Sequence, residues 1–125
     1  MKSSIVKDKS YDFSSRTITL ARWLKQPKEY EIAGQMLRSG TAIGSNVEEA
    51  LAGVSRADFI AKMSIASKEA RETHYWLRLL RDSKIVPESR VASLETESLE
   101  LIRILTAIVK TCQSNLANLK LKTKN

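Results

Sequence analysis

Apolar residues recur along this chain at alternating steps of four and three. From Phe59 one stripe runs through Met63, Ala66, Ala70, Thr73, Leu77 and Leu80, a heptad seam of the kind that lets one helix lie along another at a shallow angle. One position away, a second stripe reads Lys62, Ile65, Glu69, Glu72, Trp76 and Leu79, apolar toward its ends and acidic in its middle. Upstream, Ile32, Met36, Gly40, Ile43, Val47, Ala50 and Val54 form a similar stripe built of smaller residues. Phe13, Thr17, Leu20 and Leu24 make a shorter one, with Trp23 near its edge. After Pro87, Val91, Leu94, Leu101, Ile102, Leu105, Ile108, Val109, Cys112, Leu116 and Leu119 spread into a broader face, which should touch more than one neighbour.

Punctuation between the stripes divides them into four helices, at about 10–25, 30–53, 55–82 and 88–119. Ser55 can cap the third helix, with Asp58 in its first turn at the positive end of the dipole. Pro27 disfavours helix at the preceding residue and so closes the first. Gly53 stands where a left-handed residue would end the second. Residues 1 to about 9 are polar and expected to be loose, as is the lysine-rich end after 119. Ile85 and Val86 should fold back onto the bundle end. Gly40 and Gly44 inside a helix each cost about 1 kcal/mol relative to Ala, which implies another backbone close to that face. No window alternates with period two between turn residues, so no strand is predicted. The fold class is all-α: an up-and-down antiparallel four-helix bundle forming a single domain over residues 1–125.

Charge and cysteine content then narrow the possible partners. The net charge of +7 draws polyanions in a salt-dependent way. One cysteine, Cys112, excludes a disulfide within the chain and fits a small buried hydrophobe in a reducing compartment. No apolar run reaches the roughly 18 residues that cross a bilayer, and the N-terminus carries no secretory pattern, so a cytoplasmic, membrane-free location is expected.

Catalysis finds little support in the residues. A dimetal carboxylate site needs two Glu-x-x-His pairs, whereas the chain has one histidine, His74, preceded at that spacing by Arg71. Cys112 has no histidine on its helix, and no glycine-rich phosphate loop is present. No catalytic residue, cofactor or metal site is therefore expected. Glu69 and Glu72 could do acid–base work, but cations at Arg38, Lys62 and Lys68 make structural or intersubunit pairing the better reading. A charge held in a seam specifies alignment and partner, and Asn46 fits the same role. For a polyanion, the candidate contacts are Arg16, Arg22, Lys25 and Lys28 on the first helix, or Arg78, Arg81, Lys84 and Arg90 at one bundle end. Tyr30, Tyr75 and Trp76 could stack bases, although no helix-turn-helix or RNP motif is present.

Two runs resemble a known family. Gln35-Met36-Leu37-Arg38-Ser39 followed by Ala42-Ile43-x-Ser45-Asn46-Val47-x-Glu49-Ala50 is similar to a signature of the four-helix proteins encoded in 23S ribosomal RNA intervening sequences, with Val47 for the usual Ile. Ser55-x-x-Asp58-Phe59-x-x-Lys62-Met63 and Ala66-x-Lys68-Glu69-Ala70-x-Glu72-Thr73-x-Tyr75-Trp76-Leu77 resemble its second signature. The resemblance spans Tyr11 to Ile108 and implies a bundle that assembles into a ring, commonly a homopentamer. A related branch, the accessory proteins of diversity-generating retroelements, implies association with nucleic acid. Carried over, Arg38, Asn46, Glu49, Lys62, Glu69 and Glu72, with Trp76 beside them, would be polar contacts within the bundle or between subunits. Two functions follow as expectations: a non-enzymatic oligomer with an accessory RNA- or DNA-binding role, or a scaffold that recruits another protein.

Overall fold

In the computed structural model, residues 4–123 are described, and they form four helices without strands: α1 (Ile5–Leu24), α2 (Tyr30–Leu51), α3 (Arg56–Asp82) and α4 (Glu88–Thr123). Cross-helix bonds give their directions. Ser14 Oγ donates to the Gly40 carbonyl at 3.0 Å, and Thr73 Oγ1 lies 2.9 Å from Ser39 Oγ. Lys62 reaches Glu49 at 4.0 Å, Arg71 donates to Thr106 at 3.0 Å, and Lys9 meets Glu100 at 2.8 Å. On every adjoining pair, numbers rise along one helix as they fall along its partner, so neighbours are antiparallel. Each helix packs on its two neighbours around the square, and the α1–α4 seam is the thinnest.

The sequence seams are the core. Met63, Ala66, Ala70, Leu77 and Leu80 of α3 are buried with Met36, Ile43, Val47 and Ala50 of α2. Phe13, Leu20 and Leu24 of α1 and Val91, Leu94, Leu101 and Leu105 of α4 complete it. Five hydroxyl residues, Ser10, Thr17, Ser39, Thr73 and Ser98, are also fully buried. Each sits within reach of a carbonyl of its own helix, such as Thr17 Oγ1 to the Phe13 carbonyl at 2.8 Å. That bond removes the cost of burying an unpaired hydroxyl. Ser55 Oγ accepts from the Asp58 N–H at 3.0 Å, the cap expected for α3. Val86 is buried and Ile85 packs on the core, as expected of that loop.

Several boundaries differ from expectation. α1 starts at Ile5, capped by Ser4, whose hydroxyl accepts from the Lys7 N–H at 3.3 Å. Val6 is buried and continues the seam through Ser10 to Phe13, a continuation hidden by a serine at a core position. Residues 1–3 lie outside the described set. α2 ends at Leu51, and Val54 is fully exposed in the turn rather than in the stripe. Gly53 is not left-handed; a Cβ there would crowd the Asp58 carboxylate at 2.5 Å and the Ala50 carbonyl at 3.1 Å. The left-handed residues are instead Lys28 (φ 64°) and Lys84 (φ 59°). α4 continues through Lys120 and Lys122 to Thr123, so those lysines are helical. Its broad apolar half is only partly covered: among the described residues past Leu105 none is fully buried, and Cys112 is half-buried rather than core.

Candidate functional site: a polar seam and a basic bundle end

The polar seam lies on the outer α2–α3 groove. Arg38 bridges to Glu69 at 3.2 Å and to Glu72, and Glu72 also accepts from Trp76 Nε1 at 3.3 Å. One guanidinium thus serves two carboxylates one turn apart, a fork geometry that lysine could not supply. Gln35 lies at 3.5 Å from the same Arg38. Glu69 and Glu72 are placed by their second stripe, one step off the core stripe, so their carboxylates reach the groove while Ala66, Ala70 and Thr73 fill the interior. Glu49 and Lys62 form a longer pair further along the same groove. Asn46 donates to the Ala42 carbonyl of its own helix at 2.8 Å, and among the described residues no side-chain bond from it crosses to another helix. Ile65 and Leu79 flank the network with much of their surface exposed.

The two alternative cation sets come together. The α1–α2 and α3–α4 turns must share one end in this topology, and Arg90 of α4 lies over the Trp23 ring of α1 at 4.7 Å. Across residues 22–31 and 78–90 the chain carries seven cations against four acids, which leaves this end positive. Two of the eight candidates are withdrawn from a ligand, however. Arg16 pairs with Glu97 and donates to Ser93 at 2.8 Å. Arg81 pairs with Asp82 at 2.9 Å and with Glu95 at 2.6 Å. Arg78 sits on the Tyr75 ring at 5.9 Å. Among the described residues, Arg22, Lys25, Lys28 and Lys84 have no acidic partner within ion-pair distance.

Glu95 was not singled out by pattern. It occupies a core-facing position of α4, and its carboxylate is masked by Arg81 from α3. The available signal was an acid at a heptad position between Leu94 and Ser98. Nearby, His74 Nδ1 lies 2.9 Å from Ser98 Oγ. Ser98 Oγ also lies 2.8 Å from the Glu95 carbonyl, and the His74 tautomer sets which partner donates across the Nδ1–Oγ contact. Partial burial, helped by the Arg78 charge, holds the His74 imidazole below its ordinary value of 6.5, with Glu95 opposing.

Between α1 and α2 runs an apolar groove of about 480 Å³, floored by Ala21 and Gly34, walled by Leu37, and edged by Tyr30, Arg22 and Lys25. Among the described residues, no cluster of three or more His, Cys, Asp or Glu side chains is arranged to hold a metal, and no helix is long and apolar enough to cross a membrane.

Comparison with curated proteins finds no match. Among solved structures, the chain is similar to a protein of unknown function from the S23 ribosomal protein family of Bacteroides thetaiotaomicron VPI-5482. The two superpose with a TM-score of 0.82 at 44% identity, over 85% of this chain and 99% of that one. The family model for the 23S rRNA-intervening sequence protein matches residues 2–107, and the chain belongs to that family.

Proposed function

We infer that this protein is a non-enzymatic homo-oligomer that accompanies RNA or DNA through the basic end of its bundle. The carrying observation is that Arg22, Lys25, Lys28 and Lys84 share that end and, among the described residues, none has an acid within ion-pair distance. Polyanion affinity from such a patch comes from released counterions, so it falls steeply with salt. Assembly rests on the Arg38–Glu69–Glu72–Trp76 groove, whose half-exposed charges and exposed Ile65 and Leu79 suit a second copy. A five-membered ring is the assembly that the family resemblance implies. No reaction is assigned, since the acids nearest one another already bind Arg38.

The experiment combines light-scattering mass with a mobility-shift assay on one preparation. Expected are a mass several times the 14.0 kDa of one chain and retention of RNA at low salt. If about 0.1 M salt leaves no affinity for any RNA or DNA, the nucleic-acid role is lost. Recovery of one protein partner from nuclease-treated lysate would favour the scaffold reading, for which the exposed apolar residues beside the α2–α3 groove speak.

A further inference from the structure

Gly34 lies within α2, where glycine costs about 1 kcal/mol relative to alanine. Gly40 and Gly44 repay that cost through close packing on α1, but a Cβ at Gly34 would meet nothing within 4 Å. The fold does not explain this glycine. It floors the α1–α2 groove, whose volume of about 480 Å³ falls in the range of small-ligand sites.

A second unexplained feature stands in the α1–α2 turn, three residues after Lys25 of the groove's rim. Lys28 holds φ at 64°, a conformation in which glycine escapes the Cβ clash that every other L-residue suffers. Lys84, in the other turn at the same bundle end, does likewise at 59°. Lysine in place of the less strained glycine at both turns adds two charges to the bundle end that also carries Arg22 and Lys25. The groove therefore combines an apolar floor, an exposed aromatic ring at Tyr30 and a cationic rim.

We propose that the α1–α2 groove binds single-stranded nucleic acid, with a base lodged against Tyr30 over Gly34 and the flanking phosphates on Arg22, Lys25 and Lys28. This assignment rests on the polyanion reading above and narrows it to one strand state. A duplex keeps its base faces stacked inside and offers the groove nothing but phosphates, whereas a single strand can present a free π-face. Charge complementarity favours this occupant, because the Arg22 and Lys25 cations on the groove's rim suit the phosphates that flank a lodged base.

The test uses the full chain, a labelled oligouridylate and an RNA duplex of equal length, with binding followed by anisotropy across a salt series. The single strand binds about tenfold tighter than the duplex. Gly34→Leu fills the groove without touching the core, so it raises Tm while weakening strand binding about tenfold at unchanged salt slope. Tyr30→Ala weakens the strand by about fivefold or more, again without changing the slope, and Tyr30→Phe restores it. Lys28→Gly raises Tm but lowers the slope for the strand by about 0.7. Equal affinity for strand and duplex, unaffected by Gly34→Leu, overturns the groove assignment and leaves the basic end intact as a phosphate binder. A fall in light-scattering mass with Gly34→Leu also overturns it, by assigning the groove to another copy. No binding of either probe sinks this assignment and the polyanion reading together.

Discussion

A methyl group at Gly40 would overlap the Thr17 side chain, which is itself buried and bonded to its own helix. Gly40→Ala is therefore expected to destabilise the fold by about 1–3 kcal/mol despite its better helix propensity, as read by urea denaturation. Thr17→Ala in the same chain should recover part of that loss, because it clears the methyl and the hydroxyl together. His74 gives a second residue-level outcome. Its folded value lies below 6.5, so the unfolded chain binds the proton more readily. The histidine's contribution is fully present above about pH 6.5 and is lost as pH falls from there through the lower folded value. Thermal melts of the wild type and His74→Gln should differ in their pH dependence across that interval, with the wild type falling more steeply toward acid. A pair of parallel curves would show that the imidazole titrates alike in both states.

Helix by helix, ion pairs act where apolar packing runs thin. The α1–α4 seam is crossed by Arg16–Glu97 and Lys9–Glu100, and a gap of about 170 Å³ bordered by Arg16, Leu20 and Leu94 remains within it. These pairs are partly exposed and each contributes little to stability, so their place is to hold two helices in register. Arg81 and Glu95 between α3 and α4 differ, because the carboxylate is largely buried. Arg81→Leu strands that charge and is expected to cost about 2 kcal/mol, while adding Glu95→Gln should return much of it. Equilibrium unfolding of the three chains settles the sign. The start of α1 carries a related lesson. Ser4 and the buried Val6 were both visible as letters, yet Ser10 at the next core position breaks an apolar pattern that only its bond to the Lys7 carbonyl makes tolerable.

At the scale of the molecule, α4 is the odd member. Its 36 residues span about 54 Å at the standard rise, against about 30 Å for the 20 of α1. Beyond Leu105 it contributes half-buried or exposed side chains, which set Cys112 and Asn115 beside Arg56 and Phe59 at the start of α3 without closing over them. Removing residues 112–125 should therefore lower the Tm of the bundle only slightly. The same truncation would reduce the light-scattering mass if copies associate along the uncovered strip, so the two readouts separate folding from assembly. Arg38→Ala probes the other side: a drop in mass with near-wild-type helicity is the outcome expected if the α2–α3 network joins copies.

The heptad stripes of α2 and α3, the Ser55 cap and the close packing at Gly40 and Gly44 were legible as sequence because they depend on local periodicity and on the chemistry of single residues. Those features fixed the helix count, the all-α class and the faces that turn inward. What each charge does could not be read that way. Arg16 and Arg81 are engaged by acids of α4, whereas Arg22 and Lys25 are left to solvent at the edge of an apolar groove and Lys28 to solvent in the turn that follows. Periodicity says which side of a helix a residue occupies, but a neighbour at long sequence separation decides whether its charge is spent. That pairing exists only once four antiparallel helices have closed into one bundle.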